Sequence, residues 1–86
     1  MTSSAEPRRI TVLYFAALRE QSGKEREERL THAADAAALY AELAAEYGWD
    51  LPQSRLRAAV NHTFCPWQQT LQNGDTVAFI PPIAGG

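Results

Sequence analysis

TVAFIPPIAGG, residues 76–86, runs from an apolar strand into two prolines and then into paired glycines. Thr76, Val77, Phe79 and Ile80 favour extended backbone because β-branched and aromatic side chains pack well on a pleated surface. Asn73-Gly74-Asp75 ahead of them is a strong turn signal, and Pro81 ends the strand because it has no N–H to donate to a neighbour. So apolar a strand needs a covered place in a sheet. The chain offers one comparable partner, ITVLYF at residues 10–15, in which strict alternation sets Ile10, Val12 and Tyr14 on one face and Leu13 and Phe15 on the other. Both faces are then apolar towards the end of that strand. Since a sheet in a small protein usually has one face covered, Phe15 is left either as an exposed apolar contact or beneath a loop. With the two apolar strands side by side at the centre, Phe15 and Ile80 come close together, and Phe64 is a further candidate for the same place.

What lies between the two strands supplies the cover. Asp35 is positioned to cap a helix whose apolar residues Ala36, Leu39, Tyr40, Leu43, Ala44 and Tyr47 recur at helical spacing, and Gly48 ends it. Glu42 and Glu46 fall on its wet side. Ala16 to Gln21 reads as one or two helical turns stopped by Ser22-Gly23. Lys24 to Leu30, KEREERL, has helical propensity but also suits a solvated edge strand, where charge resists unwanted pairing; it is read as strand. Leu56 to Asn61 is a further strand candidate, and Phe64 to Leu71, which holds Pro66, reads as irregular. A single long helix with one apolar stripe is covered only by a sheet face. The expected class is therefore α+β, a mixed sheet packed on one main helix. The expected organisation is a disordered leader at 1–8, a folded domain at 9–80 and a flexible, extended tail at 81–86.

Composition narrows the function classes. With 86 residues and 45% apolar content, the chain forms one small domain with one modest core. A formal net charge of −2 with interspersed signs argues against nucleic-acid and anionic-membrane partners, which need a concentrated basic patch. One cysteine, Cys65, permits no internal disulfide, and with only His32 and His62 besides it no metal site is expected. No apolar run approaches the ~20 residues of a membrane span, and no cleavable apolar segment follows the polar start, so the expected location is cytoplasmic. Cys65 is read as a small hydrophobe, His62 as a solvated turn residue, and Trp49 and Trp67 as anchors for loops. Arg19 is available for a salt bridge to a partner, worth ~1 kcal/mol or less if exposed.

The tail carries the chemistry. Pro81 and Pro82 favour an extended path away from the body, and residues 81–86 span roughly 20 Å at about 3.3 Å each. Gly85 and Gly86 have no side chains, so this end fits a channel too narrow for any other residue. Its reactive group is the α-carboxylate of Gly86. A carboxylate is a poor electrophile, so a separate ATP-using enzyme must first convert it to a mixed anhydride with AMP. Attack by sulfur then gives a thiocarboxylate, and attack by an amine gives an amide.

ITVLYFAALRE (residues 10–20), AAVNHTF (58–64) and LQNGDTVAFIPPIAGG (71–86) together resemble the small subunit of molybdopterin synthase, a sulfur carrier of the ubiquitin-like β-grasp class. The resemblance covers nearly the whole chain after the leader. It implies that Gly86 is adenylated by an E1-like activating enzyme and receives sulfur from a donor as a thiocarboxylate. It further implies that the tail, with Pro81, Pro82, Ala84 and Gly85, enters the active site of the large catalytic subunit, where sulfur passes to a pyranopterin precursor of the molybdenum cofactor. Phe15, Phe64 and Ile80 match the apolar docking positions of that family. On this reading the chain is not catalytic alone and binds no cofactor, ATP being used by the activating enzyme, with no nucleic-acid or membrane partner. Sulfur carriers of thiamine and cysteine biosynthesis have similar ends, and certain archaeal modifiers conjugated to lysines share Pro-Pro and Gly-Gly. The paired prolines favour the pterin pathway.

Overall fold

The computed structural model describes residues 6–81. Along the chain lie β1 (Arg8–Tyr14), α1 (Ala16–Ser22), β2 (Arg26–Thr31), α2 (Ala36–Tyr47), a 3-10 turn (Gln53–Arg55), β3 (Arg57–Val60), β4 (Thr63–Cys65) and β5 (Thr76–Ile80). The strands form one mixed sheet in the order β2-β1-β5-β3-β4. The two apolar strands pair in parallel at its centre, Val12 with Val77 and Tyr14 with Phe79, while the other neighbours are antiparallel. This is the expected α+β arrangement, and its parallel central pair follows from chemistry: the strands with the most apolar surface take the positions with the most neighbours.

One face of the sheet packs on α2. Ile10, Val12, Tyr14, Val77 and Phe79 meet Ala36, Leu39, Tyr40 and Leu43 in a single core. Asp35 caps the helix, its Oδ1 accepting from the Ala38 N–H at 2.8 Å. Gly48 closes it at φ 72°, a left-handed turn that glycine adopts without a Cβ clash, and donates its N–H to the Ala44 carbonyl. Trp49 is buried edge-on to Tyr14 at 5.6 Å, and Trp67 stacks on Phe79 at 5.7 Å, so both indoles tie their loops to the core.

The structure corrects the sequence reading in three places. Phe64 is not in irregular chain but on β4, a three-residue edge strand paired with β3. The hairpin turns at Asn61 and His62, both at positive φ (52° and 70°), and a turn of that hand matches the twist of its flanking strands. Arg8, grouped with the leader by the sequence, lies opposite Thr31 in β1. Glu42 and Glu46 do not simply face water, because Arg29 of β2 reaches across the β2–α2 seam to both, at 3.1 and 2.6 Å, and also to Glu27 at 3.1 Å. Among the described residues no helix is long and apolar enough to cross a membrane.

Candidate docking site

Among the described residues no helix lies over the second face of the sheet. Register aligns Leu13, Ala78, Ala59 and Phe64 in one row across four strands, and Ile80 stands beside Arg57 in the next. The row alternates large and small. Ala59 and Ala78 form a floor, only 5% and 8% exposed although they face outward, because Leu13, Phe15, Phe64 and Ile80 rise around them. The result is a shallow apolar groove of about 200 Å³ closed at one end by His62 and Thr76.

Two of its walls are unusually exposed. Phe15 is 44% and Phe64 53% accessible, and leaving a large apolar side chain in water forgoes roughly 1.5–3 kcal/mol relative to burying it. Backbone geometry accounts for Phe15. It is still extended (φ −126°, ψ 148°) and so continues the outward alternation of β1, after which Ala16 turns the chain at φ 51°. The following helix then buries Leu18 instead. Phe15 also anchors that turn, its carbonyl accepting from the N–H groups of Leu18 and Arg19. Phe64 is held by pairing of β4 with β3, and its ring is covered on one side by the Arg57 guanidinium, 4.1 Å from the ring centre.

The structure thus brings Phe15, Phe64 and Ile80 together in one groove. Pro81, half-buried, leaves from its rim directly after Ile80. Pro82, Ala84, Gly85 and Gly86 lie outside the described residues. Cys65 is not in the groove: it pairs with Ala58 on the helix-facing side, packs against the core, and its thiol donates to the Ala58 carbonyl at 3.8 Å. Burial pushes that thiol above its ordinary pKa, which disfavours the nucleophilic thiolate. Arg19 pairs within the chain, with Glu25 at 2.8 Å. Sequence reasoning missed Ala59, Ala78 and Arg57 as parts of this face. The period-two alternation of β3 and β5 points to all three once Phe79 is fixed as core.

Comparison with known proteins bears on what such a face serves. Residues 12–86 match the ThiS family. The chain belongs to the ThiS family. A relative, the molybdopterin synthase sulfur carrier subunit of Escherichia coli (strain K12), is 38% identical over 80 residues, covering 90% of this chain and 99% of that protein. Among solved structures, a putative molybdopterin converting factor, subunit 1, from Pyrococcus furiosus superposes with a TM-score of 0.70 at 26% identity, over 88% of this chain and 99% of that one. A chain in the protein–protein complex of subunits 1 and 2 of the molybdopterin-converting factor from Helicobacter pylori shares the fold, with a TM-score of 0.62 at 24% identity over 91% and 99% of the two chains. The resemblance read from the sequence is borne out, and the fold of this ThiS-family chain is the ubiquitin-like β-grasp.

Proposed function

We propose that this ThiS-family chain is the sulfur carrier subunit of a molybdopterin synthase, acting in the cytoplasm and bearing the transferred sulfur as a thiocarboxylate on Gly86. The observation that carries the reading is the juxtaposition of an apolar groove, left open by the described residues, with the strand that leads into the tail: Phe15, Phe64 and Ile80 line the groove, and Pro81 follows Ile80 at its rim. Likeness to the E. coli carrier over nearly its whole length supports the pathway.

In this scheme an E1-like enzyme joins the Gly86 carboxylate to AMP, releasing pyrophosphate from ATP. Hydrosulfide released by the donor attacks the acyl carbon and expels AMP, leaving the thiocarboxylate and a proton. The large catalytic subunit docks on the groove, receives the tail in its active site and passes the sulfur to a pyranopterin precursor, water returning the oxygen to the carrier. Two charged carriers are consumed per dithiolene because two sulfurs are needed. The chain binds no cofactor of its own, and its contribution is positional: the groove fixes the body so that a slender end reaches the reacting centre, which lowers the entropic part of the barrier.

Reconstitution tests this. The chain, the large subunit from the same organism, the activating enzyme, ATP, a sulfur donor and the pterin precursor are expected to yield dithiolene product, with none formed when the chain is omitted. Attachment of the chain to lysines of other proteins, with no sulfur transfer to the precursor, would contradict the proposal.

A further inference from the structure

The wall of the groove at β4 carries a charge that the apolar-docking picture does not use. Arg57 is exposed on the groove side of β3, opposite Ile80 in register, with its guanidinium 4.1 Å from the centre of the Phe64 ring. Among the described residues Arg9, Arg19, Lys24, Arg26 and Arg29 each pair with a carboxylate of the chain, and Arg8 donates to the Ala33 carbonyl. Arg55 and Arg57 are within salt-bridge distance of none of the described carboxylates, and of the two only Arg57 lies against an aromatic ring.

The sequence around Arg57 supplies no acidic neighbour to occupy it. Residues 51–74 contain Arg55 and Arg57 and not a single Asp or Glu. The nearest acidic side chain that follows, Asp75, is already occupied by the Asn61 amide at 3.0 Å and the Gln72 N–H at 2.8 Å. A chain of net charge −2 therefore keeps a guanidinium beside its apolar groove, on the Phe64 ring. Stacking on an aromatic face holds a guanidinium in place while leaving its N–H edge free, and that planar fork matches a carboxylate with two parallel hydrogen bonds.

We infer that Arg57, braced on Phe64, is a specificity element of the docking face that pairs with a carboxylate side chain on the large synthase subunit at the edge of the pocket receiving Phe64. The inference rests on the sulfur-carrier reading above. An apolar groove accepts many apolar surfaces, whereas a fixed guanidinium rejects a partner that buries it without an acceptor, so Arg57 adds discrimination that the three apolar residues lack.

The test is titration calorimetry of the full chain against the large subunit at low and moderate salt. Arg57→Glu is expected to weaken binding about 10-fold or more, and Arg57→Lys about 3-fold, since an ammonium neither stacks nor forks as well. The wild-type affinity falls with salt, and in Arg57→Glu that dependence flattens or reverses. Arg55→Glu makes the same charge change one residue pair away from the stack and is expected to bind within about 2-fold of wild type. Phe15→Asp distinguishes the two levels of the reading. If it destroys binding while Arg57→Glu stays within 2-fold of wild type, the acidic-partner inference is wrong and the docking groove stands. If neither matters, the groove is not the docking face and both fall. Equal losses in Arg55→Glu and Arg57→Glu would also overturn the inference, leaving only net charge. So would a self-associated form of the free chain that Arg57→Glu dissolves, because a second copy would then be the occupant.

Discussion

Phe15 shows how one residue is committed to the outside. Its exposure is not a failure of packing: the backbone stays extended through it and bends sharply only at Ala16, which accepts a left-handed conformation that costs an L-residue on the order of 1 kcal/mol. Phe15→Asp is accordingly expected to weaken binding to the large subunit at least about 10-fold, as loss of an aromatic anchor does. Its melting temperature should stay close to wild type because little of the core touches the ring. Calorimetry and thermal denaturation check the two halves. Unchanged affinity would remove Phe15 from the docking face. The alternation of residues 10–15 already sets Phe15 apart from Ile10, Val12 and Tyr14, but it leaves open whether a loop covers the ring, because covering is settled by chain far away in sequence. The Arg57–Phe64 stack is hidden for the same reason: the two residues are brought together by a hairpin whose second strand has only three residues.

At the scale of elements, the seam between β2 and α2 explains how a strand as charged as REERLT joins a core. Opposite Val12, Glu27 faces the helix, and Arg29 and Thr31 follow it on that side, while Arg26, Glu28 and Leu30 face away. Arg29, 14% exposed, binds Glu27, Glu42 and Glu46, and the Tyr14 and Tyr47 hydroxyls both donate to the Glu27 carboxylate at 2.6 Å. Desolvation is the largest single influence on Glu27 and pushes its pKa up. The two phenol donors and the charges of Arg29 and Lys24 together outweigh it and hold the group below its ordinary value of 4.5. Burial, then the Glu27 hydrogen bond, raise the Tyr14 phenol far above its ordinary value, so it remains a donor. A carboxylate with a depressed folded pKa stabilises the protein fully above its unfolded pKa, and that contribution is lost as pH falls through the folded value. Denaturant midpoints are therefore expected to hold steady down to about pH 5 and to fall below it, more steeply in wild type than in Glu27→Gln. Parallel pH curves for the two proteins would show that Glu27 does not carry the effect. Periodicity reveals α2, β1 and β5 plainly, since each has a long apolar stripe. It is nearly silent on β2 and β4: β2 buys its place with ion pairs across the seam, and β4 is too short to show a period and runs straight into Pro66.

For the whole molecule, the division of labour follows from the two faces of one sheet. Tyr14 and Phe79, neighbours across the central pair, face α2 and hold the fold. Leu13, Ala59 and Ala78 face the other way and make a groove that no element of the described residues covers. The alanines of that floor carry no signal of their own in the sequence, because a small apolar residue is equally at home in a core, a helix or a surface. Their meaning comes only from register. The tail is the reverse case, its paired prolines and glycines standing out in the sequence by their chemistry alone. Deleting Gly86 is expected to abolish sulfur transfer to the pterin precursor while leaving the denaturation midpoint unchanged, since among the described residues the buried core ends at Phe79. An active deletion variant would separate the tail from the reaction, and a destabilised one would give the tail a structural role in place of a chemical one.

Intact-mass measurement of the carrier, after incubation with its activating enzyme, ATP and the sulfur donor, reaches the central claim most directly. Replacement of one carboxylate oxygen of Gly86 by sulfur predicts a gain of about 16 Da, confined on fragmentation to the C-terminal peptide. A carrier that stays at its original mass while ATP is consumed, or one whose added mass lies on Cys65, would contradict it.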